Sequence, residues 1–472
     1  MLFNSFDFVG LVVVTFTLYY LPFLRKVQVG LLIGSSLFFY GFNNPKLLIL
    51  LLFSVAINIT TSYLVVHGPA TRRRLFATVG VIVNLLILAF FKYSPLLGQT
   101  FFLTDGGISA FLVQIPLPIG ISFFTFEGVS LLVDAFRGRN IPEYRSLVAK
   151  HMPRHALNTT LFITFFPHLV AGPILKAHDF IPQIQAKFYR DIDWEYCFKA
   201  LVTGYFLKMV IADQLNHQTF WIEYPYFQSY SSTVLIGLLV GYSIQIFADF
   251  AGYSLIAIGV AELYGYRLMQ NFNFPYIATS FSEFWRRWHI SLSTFLKEYL
   301  YIPLGGNRRG STRTYLNLLV TMVLGGLWHG ASWNFAVWGA FHGLALAVER
   351  FWKDRFPLVQ NPGLLHQVAS GVMVFGFVTW AWLLFKLTDF THIIQFMKTI
   401  YVNYNMPNYW ALLVYVGIYS LPVVAYHGIY LWKKTPAREQ LYANLEPFIY
   451  GFMLFGILTN SGLGADFIYF QF

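Results

Sequence analysis

Long apolar runs separated by short polar or basic stretches pattern the whole chain. They fall at about 6–24, 28–43, 46–66, 75–91, 112–136, 156–175, 196–213, 231–263, 314–328, 332–348, 368–386, 409–431 and 446–463. A helix needs roughly 20 apolar residues to cross a bilayer. Several runs are shorter, or are broken by glycine and proline, as in LPIGISFF and FFPHLVAGPIL. Broken segments at membrane depth line a cavity or re-enter the face they came from. The pattern therefore predicts an all-α polytopic membrane protein with about 11 to 13 transmembrane helices plus re-entrant pieces. The run 9–23 has no basic stretch before it and no small-residue cleavage site, so it reads as a retained first span rather than a signal peptide.

One segment breaks the pattern. In SFSEFWRRWHISLSTFLKEYLY, Phe281, Phe284, Trp285, Trp288, Leu292, Phe295, Leu296 and Tyr299 recur at helical spacing, with Glu283, Arg286, Arg287, Lys297 and Glu298 opposite. Residues 281–300 thus read as one amphipathic helix lying in the membrane interface. His289 falls near the margin of its apolar face. The basic loops set an orientation. Segments 25–26, 72–74, 137–154, 308–313, 350–355 and 433–438 can share the cytoplasmic side if both termini face outward. The stretch 93–111 lacks lysine and arginine and fits the outer side.

Composition sharpens this reading. Only 11% of residues are charged and 57% are hydrophobic, with a mean hydropathy of +0.56. A soluble domain carries about 25% charged residues, so lipid must be the solvent for most of the surface. No hydrophilic stretch is long enough for a separate soluble domain, and residues 1–472 read as a single membrane domain. The net charge of +11 belongs to loops that orient the chain and touch anionic lipid, not to a nucleic-acid surface. The single cysteine, Cys197, excludes an internal disulfide and a cysteine-based metal site.

Polar residues inside apolar runs carry the candidate chemistry. GGLWHGASWNFAVWGAFHG, starting at Gly325, holds His329 and His342. On one ideal helix their separation turns through about 220°, so the two cannot share a face and no metal site is expected. The run 314–328 before His329 reaches only about 22 Å as a helix, short of a hydrocarbon core of about 30 Å. The WHG turn therefore falls at membrane depth. There His329 is either a core histidine bonded to a carbonyl or a general base. Asp249, in IFADFAGYS, reads most simply as the N-cap of a helix over 253–263. Glu127 and Asp134 share a helix face, and pairing with Arg137 is the favoured reading. His168, bracketed by prolines, has no evident role. Arg308, Arg309 and Arg313 would attract phosphate but also serve as topology signals.

The series QNFNFPYIATSFSEFWRRWHISLSTFLKEYLYIPLGGNRRG followed by LGGLWHGASWNFAVWGAFHG resembles the membrane-bound O-acyltransferases, and within them the bacterial alginate O-acetyltransferase subgroup. MLFNSFDF, LPIGISFFTFEGVS, FPHLVAGPIL and FADFAGYS match the same pattern, so the resemblance covers most of the chain. It implies a fold with a central funnel and a motif-rich catalytic portion at about 249–343. It implies a catalytic His329, with His289, forty residues earlier, as a direct or orienting partner. It further implies an acetyl donor, acetyl-CoA, used as substrate from the cytosolic side, with no bound cofactor. Asp249 and Asn334 would line the path to His329, and Arg308, Arg309 and Arg313 would rim the donor side. The product would be an O-acetylated exopolysaccharide, reached through a periplasmic acetyltransferase partner at the bacterial inner membrane. Alginate is the first choice. Cellulose or another glycan, peptidoglycan and teichoic acid stay open as acceptors. A polytopic transporter and a secretion scaffold are the rival classes. The chain shows no internal repeat of the kind many transporters carry.

Overall fold

The computed structural model describes residues 1–101, 112, 115, 117–138, 140–170, 172–356, 363–462 and 467. Among them there is no strand. The helices are α1 (Phe6–Tyr19), α2 (Gln28–Gly41), α3 (Leu47–His67), α4 (Arg73–Phe101), α5 (Ile121–Arg137), α6 (Met152–Thr164), α7 (Trp194–Tyr205), α8 (Asp213–Thr219), α9 (Ser232–Leu263), α10 (Phe281–Arg287), α11 (Ile290–Leu296), α12 (Ser311–His329), α13 (Trp333–Arg355), α14 (Leu364–Lys386), α15 (Phe390–Val402), α16 (Trp410–Trp432) and α17 (Pro436–Thr459). A single helical turn lies at Ala177–Phe180, and π-helical turns lie at Phe206–Ala212 and Lys297–Tyr301.

Among the described residues six helices are long and apolar enough to cross a membrane, or up to seven if the pair Phe6–Tyr19 and Pro22–Gly41, bent by 102°, forms one span. That is fewer than the 11 to 13 expected. Part of the apolar sequence goes instead into helices covered by protein. α5 buries nearly every residue from Ile121 to Asp134, and a helix shielded by its neighbours needs no full lipid-spanning run. The chain divides into two compact units, residues 1–201 with 254–269, and 202–253 with 270–472.

In the first unit α3, α4 and α5 pack on one another. α3 carries Ser54, Asn58 and Ser62 at four-residue spacing, all buried on one stripe. Asn58 and Asn84 of α4 exchange amide hydrogen bonds at 3.1 and 3.0 Å, and Ser62 lies 2.8 Å from His155 Nε2 of α6. Polar side chains facing one another in this way join membrane helices where the hydrophobic effect gives no preference for protein over lipid. Gly128 of α5 sits against the Asn58 amide, where a Cβ would stand 2.6 Å away. Glu127 and Asp134 lie on one buried face, and an imidazole meets each of them. His168 Nε2 stands 2.7 Å from Glu127, both fully buried, and His178 Nδ1 stands 2.7 Å from Asp134. His168, whose role was open, thus closes onto the Glu127 carboxyl group. The stretch placed outside for its lack of basic residues, 93–111, continues α4 to Phe101. Residues 102–111 lie outside the described residues.

In the second unit α12 and α13 form an antiparallel hairpin with an unusually close interface. A Cβ on Gly326 would meet the Phe335 carbonyl oxygen at 2.1 Å. One on Gly339 would meet that of Met322 at 2.2 Å, and one on Gly343 would meet Leu319 Cα at 3.1 Å. Only glycine allows backbones this close.

Candidate active site

The hairpin places His329. It is the last residue of α12, and Gly330 leaves the helix in an extended conformation. The chain turns at once into α13, whose N-cap Ser332 accepts a hydrogen bond from the Asn334 N–H. The imidazole is only 4% exposed. Its ring stands edge-on to Trp338 and Phe385, with centroids 5.2 and 5.3 Å away, and 5.1 Å from Trp328. One side opens on a cavity of about 240 Å³ whose walls include Trp285, Ser293, Lys297, Tyr301, Thr321 and Trp338.

His289 reaches the same place by another route. The expected single helix over 281–300 is broken in two. α10 is capped by Ser280, which accepts from Glu283 N–H at 3.2 Å. Glu283 reaches back to the N–H and hydroxyl of Thr279 and holds Arg287 at 2.9 Å. Burial pushes the Glu283 carboxyl up, but these partners outweigh it and hold it below the usual carboxylate range. The helix then stops. Trp288 is extended, and His289 takes a left-handed backbone, φ 43° and ψ 57°, before α11 begins. The apolar stripe is real, since Phe284, Trp288, Leu292, Phe295 and Leu296 are all buried. Periodicity could not see a break that removes only two residues from the helix. Beyond Leu296 the turns widen to π-helix.

A left-handed, non-glycine residue costs about 1–3 kcal/mol and persists only where its surroundings impose it. Here the segment 271–273 runs beside 287–291 and holds both flanks. Asn271 O accepts Ile290 N–H at 2.9 Å, and its Oδ1 accepts both the N–H and hydroxyl of Ser291. Asn273 N–H donates to Arg287 O at 2.9 Å, and Arg287 Nη1 donates back to Asn273 O. The fully buried His289 ring is thereby set edge-on to Phe250, with centroids 4.6 Å apart, and 6.2 Å from His329. Asn271 stood in the quoted motif without a role. Its position immediately before the aromatic segment FNF was the available signal.

Asp249 is not an N-cap. It lies inside α9, a helix of 32 residues, and is buried. Lys208 Nζ stands 2.8 Å from Asp249 and 2.8 Å from Asp213. The lysine rises from the π-helical turn Phe206–Ala212. Gly252 lets α9 approach that turn, with its Cβ position 2.8 Å from Gly204 O and 2.9 Å from Lys208 N. Sequence reasoning missed Lys208 and Asp213. The signal was a lysine within an apolar run with an acid five residues on, because a buried ammonium at that depth must meet a carboxylate. The step from Asp249 to Phe250 joins this ion cluster to the His289 ring.

The other predicted residues have these surroundings. The Asn334 amide is buried and donates to Leu387 O at 2.7 Å, tying the start of α13 to the end of α14. Arg308, Arg309 and Arg313 are exposed on the turn before α12 and in its first helical turn. Gly305, Gly306 and Gly310 give that turn its positive φ angles, and Asn317 Nδ2 holds the Gly306 carbonyl at 2.9 Å. The turn follows directly on Lys297 and Tyr301, which line the His329 cavity. His342 lies on α13 and not on the helix of His329, so the single-helix geometry does not apply to the pair. Both rings pack on Trp338, His342 at 4.7 Å. Among the described residues no three histidine, cysteine or acidic side chains converge as metal ligands would.

Comparison with known proteins gives a consistent result. The profile of MBOAT, the membrane-bound O-acyltransferase family, matches residues 4–390. The chain is similar to the peptidoglycan O-acetyltransferase of Helicobacter pylori, with 35% identity over 78% of this chain and 72% of the relative. It is similar to the probable alginate O-acetylase of Pseudomonas aeruginosa, with 38% identity over 82% of this chain and 72% of the relative. The probable alginate O-acetylase of Azotobacter vinelandii is 41% identical over 66% of this chain and 59% of the relative.

Proposed function

The chain belongs to the membrane-bound O-acyltransferase family, which makes it a multi-pass acyltransferase of a membrane, and we propose that it takes an acetyl group from acetyl-CoA on the cytosolic side of a bacterial inner membrane and passes it to the outer side for O-acetylation of an alginate-like exopolysaccharide. The acceptor that meets the enzyme is a hydroxyl, on the glycan or on a periplasmic partner that then acetylates it. The relatives named as alginate O-acetylases support the polysaccharide, and the peptidoglycan enzyme supports an envelope glycan more broadly.

His329 is the general base in this reading. Its neutral imidazole removes the proton as the hydroxyl oxygen attacks the thioester carbonyl. The C–O bond forms, the carbon–sulfur bond breaks, and the proton leaves with the CoA thiol. His289 orients or polarises the reacting carbonyl from its buried site. The observation that carries the reading is the His329 ring on the wall of the 240 Å³ cavity, held edge-on by Trp338 and Phe385. A cavity of that size takes the acetyl thioester end and not the nucleotide. A histidine kept only to bond a backbone carbonyl would not need to face such a space.

The test uses wild-type and His329→Ala protein in membrane vesicles supplied with labelled acetyl-CoA. General-base catalysis is worth about 100- to 10,000-fold, so release of free CoA and label transfer should fall by that factor while yield and thermal unfolding stay at the wild-type level. Transfer at the wild-type rate would exclude His329 as the base.

A further inference from the structure

A second cavity, of about 720 Å³, lies in the second unit, between α16, α17 and the π-helical turn Phe206–Ala212. α16 and α17 are consecutive spans joined by a short turn at 433–435. Both lean on the π-helical turn more than on each other, so a wedge-shaped groove opens between them. Its walls are apolar over most of their length, with Leu421, Ala425, Phe452 and Met453 among them. Where α16 ends the walls carry Lys433 and Lys434, with Tyr442 also in the lining. Lys433 Nζ lies 3.8 Å above the Tyr442 ring. Among the described residues neither lysine makes a salt bridge with a carboxylate, although Glu439 stands in the same wall.

We propose that this groove is a binding site for a phospholipid with an anionic headgroup, its acyl chain along the α16–α17 walls and its phosphate held by Lys433 and Lys434. The chemistry at each end selects the occupant. The apolar length faces lipid, since almost none of the apolar stretch of α17 is buried, so a hydrocarbon chain enters with nothing polar to displace. The lysines sit where a span meets the membrane surface, and a basic pocket between spans is a recognised form of anionic headgroup site. A zwitterionic headgroup brings its own cation to the same place and loses that advantage. The groove is separate from the His329 cavity, sharing no wall residue with it, so the inference stands apart from the proposed reaction.

The test is native mass spectrometry of the detergent-purified full chain, with phosphatidylglycerol or phosphatidylcholine of identical acyl chains at equal mole fraction. Two lysines at the interface imply roughly a thirty-fold preference at most, so wild-type protein should retain phosphatidylglycerol at least several-fold over phosphatidylcholine. Lys433→Ala with Lys434→Ala should bring that ratio close to one. Both residues lie at the surface turn, so the fold is not at risk. Ala425→Trp, which fills the apolar length from its lipid-facing side, should reduce retention of both lipids. Equal retention by wild type, an undiminished preference in the double lysine variant, or unchanged retention in Ala425→Trp would each overturn the proposal.

Discussion

His289 sits in a conformation that a bulky L-residue avoids, and its neighbours carry the cost of keeping it there. Asn271 is the residue most responsible, because one side chain and one carbonyl hold the two positions after it. Asn271→Ala leaves the Ser291 N–H and hydroxyl without their acceptor in a buried place, worth about 1–3 kcal/mol of stability. It should also let the imidazole drift from its seat against Phe250. A misplacement of about 1 Å can cost a hundredfold in rate, so we expect kcat to fall by tenfold or more with KM for the acetyl donor unchanged. A purely structural role would lower the amount of folded enzyme and leave kcat per folded molecule alone. His289→Asn is the companion variant. Asparagine tolerates the left-handed region, so it should retain more activity than His289→Ala at matched folded concentration.

At the scale of elements, two features hold the site. The α12–α13 hairpin depends on glycine at the crossing, and Gly339→Ala puts a methyl group 2.2 Å from the Met322 carbonyl oxygen. The helices must part, at a cost of about 1–3 kcal/mol for overpacking, and His329 at the hairpin's end must move with them. Lower melting temperature together with lost activity is the expected result, and wild-type values for both would show that the crossing is not tight. The second feature is the ion cluster that fixes the π-helical turn to α9. Lys208→Met leaves Asp249 and Asp213 buried without their ammonium, a loss of about 3–5 kcal/mol. Lys208→Met combined with Asp249→Asn removes one of the stranded charges and should recover part of that stability. Additive destabilisation in the double variant would argue against a working ion pair.

Over the whole molecule, the residues argued to act at the site all belong to the second unit, from Lys208 to His329. The basic turn of Arg308, Arg309 and Arg313 is exposed and follows shortly after Tyr301, a wall of the His329 cavity, to which the exposed Lys297 also belongs. If the donor is the acetyl-CoA proposed above, its phosphates are the groups such a turn would hold. Replacing all three arginines with glutamine should raise KM for acetyl-CoA by roughly tenfold or more, with a smaller change in kcat. An unchanged KM with altered insertion topology would leave the arginines as orientation signals alone.

The class of the protein was legible in the sequence because hydrophobic length is local information. Any run of about 20 apolar residues tells of lipid without reference to the rest of the chain, and α3, α4, α9, α14, α16 and α17 are spans of that kind. His329 drew notice for a related reason: an ionisable ring close to glycines, at the end of a short apolar run, stands out against its neighbours, and the structure places it on a cavity wall. The partners of the buried charges were not legible. Glu127 finds His168 and Lys208 finds Asp249, each pair 41 residues apart, and periodicity along one helix cannot choose between such distant partners and a near one such as Arg137. The break at His289 was hidden for the same reason. Its apolar stripe continues across it, and what bends the chain there is the Asn271 segment, brought alongside only by tertiary folding. A pattern of residue types says which groups must be satisfied, and only the packed structure decides by which others, because in the low-dielectric interior the geometry of the partner, not its distance along the chain, sets the energy.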